Sequence, residues 1–250
     1  MISEQRIAGF RNILVSGAGG YLRNPIRETG VTCQVCTTPV DGYNRCIPCN
    51  RYQRLYGSQL ADSVAPLIYG VAGTQSAYIM RSYKAAPPVQ EHRRVVSLLC
   101  LLALAQHGDC PSELVGSPVT HWSTVPSLPA RPISHPLRQI VVNLAPGVEA
   151  PLIAANKVAN SRSLSDKHFH AAAALPSGAH VLLIEDTWAS GGHAQSAALA
   201  LRAAGAAHVS VLVVARWINE GYGSNARFVQ ERLTQDFDPL ICPWTGSTCP

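Results

Sequence analysis

Two short stretches hold residue types able to do chemistry. The first, IEDTWASGGHAQ, covers residues 184–195. Glu185 and Asp186 close an apolar run, VLLI, and a small-residue turn with Gly191 and Gly192 leads into an alanine-rich segment of helical character. Backbone amides of such a turn, at the positive end of a helix, can hold an anion. Two carboxylates beside a phosphate repel it unless they have another task, and holding a sugar diol or orienting a bound Mg²⁺ supplies one. Strand, acid pair and anion turn therefore form a layout for a ribose 5-phosphate. Glu185 and Asp186 face the hydroxyls, while Ala189, Ser190, Gly191, Gly192 and His193 face the phosphate. His193 stands where a phosphate turn more often offers a hydroxyl, and its ring can donate a hydrogen bond, charge-assisted when protonated. The turn is not a P-loop, because GxxxxGK[ST] is absent.

The second stretch is CQVCTTPVDGYNRCIPC, with Cys33, Cys36, Cys46 and Cys49 in a CxxC, nine-residue, CxxC pattern. Each pair aims two thiolates at one point, and two such turns supply four sulfurs for a tetrahedral zinc. Structural zinc is the reading, ahead of an iron centre, a redox pair or a lost site. All four positions are filled, which leaves a bound zinc no open position for catalysis. Of the other cysteines, Cys100 lies in an apolar helix and reads as core. Cys110, Cys242 and Cys249 are each followed by proline. They are expected to be inert thiols on a surface tail, or a Cys242–Cys249 disulfide formed after purification. A second metal site completed by His107 or His121 is the lesser alternative.

The elements that must position these residues follow from apolar periodicity. HVLLIED is a near-continuous apolar strand, as where both sheet faces are covered. HAQSAALALRAAG is a helix ended by Gly205, and AHVSVLVVARW is the next buried strand. Together they form a βαβ unit and imply an α/β fold with a parallel sheet flanked by helices. Residues 65–84 read as strand then helix, residues 87–108 as a buried helix, HWSTV and QIVVNLA as strands, residues 148–159 as a helix, and ARFVQERL as a helix. The glycines of NILVSGAGGYLRN do not make a dinucleotide fingerprint, since Leu22 occupies the last position and the cysteine cluster displaces the second strand. A helix or turn leading into the knuckles is expected there.

The whole chain bounds the function. It has 250 residues, 47% apolar and 14% charged, as suits a globular protein with one sizeable core and a small appendage. The net charge of +5 mildly favours anionic ligands, but the basic residues are scattered and give little support to nucleic acid. The run VVSLLCLLALA is shorter than the roughly 20 residues a bilayer crossing needs, so no membrane role is expected. The N-terminus lacks the order of a secretory signal, and a cytoplasmic location is expected.

VLLIEDTWASGGHA resembles the PRPP (5-phosphoribosyl-1-pyrophosphate) motif of type I phosphoribosyltransferases: an apolar strand, two acids, two variable residues and a Thr-Gly-x-Thr turn. Ser190 falls on the first Thr, Gly191 on the glycine, Gly192 on the variable position and His193 on the second Thr. Carried over, Glu185 and Asp186 would act on the ribose hydroxyls and residues 189–193 on the 5′-phosphate. The four-cysteine module, the segment LIYGVAGTQSAYIMRSYK and the order over residues 30–220 are similar to the ComF-like branch of that family.

The resemblance implies a type I phosphoribosyltransferase-like sheet with a zinc-ribbon-like module. It divides the chain into residues 1–60 (N-terminal segment and zinc module), 61–224 (phosphoribosyltransferase-like domain) and 225–250 (C-terminal helix and Cys-Pro tail). It also implies PRPP with Mg²⁺, and transfer to an unknown base or amine with release of pyrophosphate. Three features depart from the pattern. Many members carry an acid or threonine at Ala189, so a base role there does not transfer. TVPSLPAR matches the pyrophosphate loop loosely, with Ser127 and Arg131 as candidates. SRSLSDKHFH offers only Arg162 and Lys167 for the mobile loop. The alternative is a PRPP sensor or accessory protein whose zinc module contacts a partner, nucleic acid included.

Overall fold

A computed structural model describes residues 3–132, 134–158 and 160–250. The elements run α1 (Glu4–Leu14), a π-helical turn (Val15–Gly19), α2 (Ile47–Tyr56), β1 (Ser63–Val71), α3 (Gln75–Ser82), α4 (Gln90–His107), α5 (Cys110–Val115), β2 (His121–Thr124), α6 (Pro136–Val141) and β3 (Val148–Glu149). They continue through β4 (Leu152–Ala154), β5 (Phe169–Ala171), β6 (His180–Trp188), α7 (Gly192–Ala203), β7 (His208–Ile218) and α8 (Asn225–Arg232). Five strands form a parallel sheet in the order β1-β7-β6-β2-β3, and β4 and β5 form a separate antiparallel pair.

The two inner strands are apolar on both faces because both faces are covered. Leu182 and Ile184 of β6 and Leu212 and Val214 of β7 join α1, α3 and α4 in one core. Val181, Leu183, Val209, Val211 and Val213 point the other way, into a core shared with α7 and the cysteine knuckles. This is period-2 alternation between two buried layers. The βαβ unit β6–α7–β7 is present as the sequence implied. β1 lies at the sheet edge, which admits its Pro66. The preceding segment covers that edge: the Tyr69 amide donates to the Arg23 carbonyl at 3.0 Å.

Two elements differ from expectation. QIVVNLA contributes to a helix, α6, rather than a strand. Pro136 occupies its first turn, the His135 ring accepts from the Leu137 amide at 3.2 Å, and Leu137 and Val141 bury one helical face. Residues 148–158 hold β3 and β4 instead of a helix. Val148 and Glu149 pair with His121 and Trp122 of β2, and Pro151 breaks the chain's course between the two strands. Ala159, the end of that expected helix, lies outside the described residues. Among the described residues no helix is long and apolar enough to cross a membrane.

Candidate ligand site and metal centre

β6 delivers Glu185 and Asp186 to its carboxyl end, where ligands of open parallel sheets bind. Successive strand residues face opposite ways, so the two acids enter different surroundings although both are buried. Asp186 Oδ2 accepts from the Tyr83 hydroxyl at 3.0 Å and from the Lys84 ammonium. His135 Nε2 lies 3.5 Å from the same oxygen. His135 Nδ1 accepts from the Leu137 amide, so Nε2 carries the proton and faces the carboxylate.

Burial raises the Asp186 pKa, but Lys84 and then His135 outweigh it and bring it below the ordinary value. Lys84 contacts Asp186 and not Glu185, on which its charge acts more weakly than burial and Asp186. Burial first, and the Asp186 charge second, push the Glu185 carboxyl well above the ordinary value. The surroundings thus favour the charged form of Asp186 and the protonated form of Glu185. Glu185 Oε1 accepts from the Asp186 amide at 3.3 Å, and Oε2 is buried without a partner.

The turn after β6 is held from beneath. Buried Arg216 of β7 donates to the Trp188 carbonyl at 2.8 Å and the Ala189 carbonyl at 2.9 Å. These bonds draw the carbonyls toward β7. Gly191 caps α7 with φ 83°, and a Cβ there would lie 2.2 Å from the Trp188 ring. Trp188 thus packs beneath the turn, and its Nε1 is buried without a partner. At Gly192 a Cβ would lie 2.3 Å from the Arg162 carbonyl oxygen and 2.9 Å from that of Ser163. Gly192→Ala is expected to destabilise the protein by about 1–3 kcal/mol, read as a lower denaturant midpoint, because neither backbone can withdraw freely.

The remaining sequence candidates divide. Ser190 Oγ donates to the Arg162 carbonyl at 3.2 Å, which brings residues 160–163 over the turn. Arg162 and Arg131 are exposed, and their charges act on His193 and His135 respectively. Ser127 is half-buried in the loop after β2. Lys167 is exposed, and among the described residues no side-chain hydrogen bond ties it to the acid pair. His193 sits edge-on to Phe169, with ring centroids 6.4 Å apart, and its Nε2 is buried without a partner. Burial lowers its pKa, more than the Ser161 backbone raises it, so the ring is neutral near pH 7 and offers no charge-assisted bond.

Sequence reasoning missed Tyr83, Lys84 and His135. Tyr83 and Lys84 end the quoted segment LIYGVAGTQSAYIMRSYK, so an isolated lysine just past a helix was the available signal. Nothing local marks His135.

The four knuckle cysteines place one sulfur each within 4.8 Å of one another, with Cys36 and Cys46 Sγ 3.7 Å apart. Zinc–thiolate bonds of about 2.3 Å in a tetrahedron give sulfur separations of roughly 3.8 Å, so this donor set fits zinc. Cys33 and burial oppose ionisation of Cys36, but Cys46, Cys49 and the charge of Arg216 hold its thiol below the ordinary value. Arg216 thus serves both the turn and the cysteine cluster.

Two solved structures match about half of this chain. One is a crystal structure of an adenine phosphoribosyltransferase, 15% identical, matched over 53% of this chain and 84% of that chain with a TM-score of 0.35. Another is an adenine phosphoribosyltransferase from Saccharomyces cerevisiae, complexed with an imino-altritol bisphosphate and adenine. It is 15% identical over 50% of this chain and 78% of that chain, with a TM-score of 0.33. No protein-family model matches the chain. No curated protein sequence matches it.

Proposed function

We propose that the end of β6 binds PRPP and that the protein transfers its phosphoribosyl group to a nitrogen nucleophile. The observation that carries this reading is the orphaned, buried Glu185 Oε2 beside Asp186, at the mouth of a glycine turn that opens a helix. An unpartnered buried oxygen is costly, and a ribose hydroxyl would satisfy it. Asp186 would accept from the second hydroxyl, and the amides of residues 189–193 would hold the 5′-phosphate. Acid pair and diol also fit a Mg²⁺–PRPP complex, in which the ion supplies neutralisation of the pyrophosphate charge.

In the reaction the bond from C1 to the pyrophosphate oxygen breaks, a C1–N bond forms, and the nitrogen gives up a proton. The chain's contribution is positioning and charge: Lys84 stands at the acid pair, and the exposed Arg131 and Arg162 would meet the pyrophosphate. The ComF-like resemblance supports the same assignment.

A second reading, a PRPP-binding accessory or sensor protein, is favoured by two contacts. Lys84 already neutralises Asp186, and the carbonyls of Arg162 and Ser163 lie against Gly192. Pyrophosphate release separates the readings. With PRPP, Mg²⁺ and a panel of purines, pyrimidines and amines, an enzyme releases pyrophosphate only when one acceptor is present. Binding without release for every acceptor supports the accessory role, and no binding at all removes both.

A further inference from the structure

Of the three Cys-Pro cysteines, Cys110 and Cys242 are buried rather than on the surface, and only Cys249 is exposed. His107 at the end of α4, Cys110 at the start of α5, and Cys242 and Cys249 of the tail place one donor atom each within 4.8 Å of one another. Cys110 and Cys242 Sγ are 3.7 Å apart, and His107 Nδ1 is 3.2 Å from Cys249 Sγ. No disulfide links them, and all eight cysteines are free. We infer that His107, Cys110, Cys242 and Cys249 form a second zinc site, which clasps the C-terminal tail to the helical layer.

The spacing and the surroundings both fit. His107 and Cys110 stand three residues apart around the α4–α5 corner, as the cysteines of a CxxC knuckle do. The second pair is brought together by a tight loop. The Cys242 amide donates to the Ser247 carbonyl and the Gly246 amide to the Cys242 carbonyl, both at 2.8 Å, and Gly246 takes φ 82°. Zinc with three thiolates and one imidazole has donor separations of roughly 3.5–3.8 Å, near the distances found.

The ring is also oriented for metal binding. Its Nε2 lies 3.1 Å from the Pro239 carbonyl oxygen, so Nε2–H donates and the Nδ1 lone pair faces the sulfurs. Such a second contact is the usual companion of a metal-bound histidine. His107, Cys110 and Cys242 are buried, whereas Cys249 is exposed. Four filled positions make the site structural rather than catalytic.

The clasp closes over the N-terminal segment. The Phe237 amide donates to the Gly19 carbonyl at 3.1 Å, and Asn24 exchanges two hydrogen bonds with the Asp238 backbone, at 2.8 and 2.9 Å. Arg27 Nε donates to the Pro243 carbonyl at 3.0 Å and Nη1 to the Gln34 carbonyl at 3.5 Å. One arginine thereby ties the residue after Cys242 to the residue after Cys33. The inference does not depend on what binds at β6.

Metal analysis of the full chain, purified under reducing conditions without chelator, tests it. Two zinc equivalents per chain are expected. Cys249→Ser should reduce this to one with unchanged circular dichroism, since that residue is exposed. Cys33→Ser with Cys36→Ser should retain one, and cobalt exchanged into that variant should show tetrahedral d–d bands with thiolate charge transfer. His107→Cys should keep the metal and shift those bands, while His107→Ala should lose them. A single equivalent in the wild type, or two remaining in Cys249→Ser, would overturn the site. So would a Cys110–Cys242 disulfide in anaerobically purified protein. If the double variant fails to fold, the comparison of wild type with Cys249→Ser decides alone.

Discussion

Calorimetric titration with PRPP and Mg²⁺ is expected to give a binding heat, and Asp186→Asn to weaken that binding roughly 10- to 150-fold, the equivalent of about 1.5–3 kcal/mol for a lost charged hydrogen bond. Glu185→Gln is expected to cost far less. The asymmetry follows from the two environments. Asp186 is held ionised by Lys84 and His135, so the amide removes a real charge. Glu185 is buried and stands beside that charge, both of which favour its protonated form, so an amide replaces it nearly isosterically. Glu185→Ala should instead lose binding, because it removes the oxygen that meets the hydroxyl. Circular dichroism controls for folding, and Lys84, with about a third of its side chain exposed, can be solvated when Asp186 is neutralised. A larger loss from Glu185→Gln than from Asp186→Asn would contradict this division of the pair.

The second large effect is expected at the knuckle cysteines. Cys36→Ser should lose the first zinc, make residues 30–56 sensitive to protease and lower the thermal midpoint. The reason is the scarcity of core in that segment. Its buried side chains are mainly Thr32, Cys33, Cys36, Thr37, Cys49 and Tyr52, whereas Tyr43, Ile47 and Leu55 are exposed. A few backbone bonds, such as Cys33 amide to Thr38 carbonyl at 2.8 Å, complete it. So small an apolar store does not hold a fold alone, and structural zinc in comparable peptides contributes about 10–16 kcal/mol of apparent binding energy.

The effect should reach the turn. Cys33, Cys36 and Cys49 share a core with Trp188 and Val213, and Arg216 spans from the Trp188 and Ala189 carbonyls to the field of Cys36. PRPP affinity should therefore fall in Cys36→Ser without any change in a ligand-contacting residue. Unchanged protease resistance and thermal midpoint in zinc-free Cys36→Ser would show that the segment folds without metal.

Much of this molecule is set by near neighbours in the chain. The alternation in β6 and β7, the alanine-rich α7, Gly191 and Gly192 at its start, and the paired CxxC knuckles are all patterns of a few residues. The acids stand beside the turn because they precede it directly. Local pattern misled where a partner strand or a cap outweighed it. QIVVNLA has strand-like residues, but Pro136 and the His135 cap start a helix, and Val148 and Glu149 become a strand because β2 is there to pair with them.

What only the tertiary structure decided is the state of the acids and the fate of the scattered cysteines. Lys84 is 102 residues from Asp186, and Cys110 is 132 residues from Cys242. Spacing in sequence says nothing about such pairs, since the contact depends on how α3, α4 and the tail pack on the sheet. The charge of a carboxylate depends in turn on burial and on the nearest cation, and both are properties of the packed molecule.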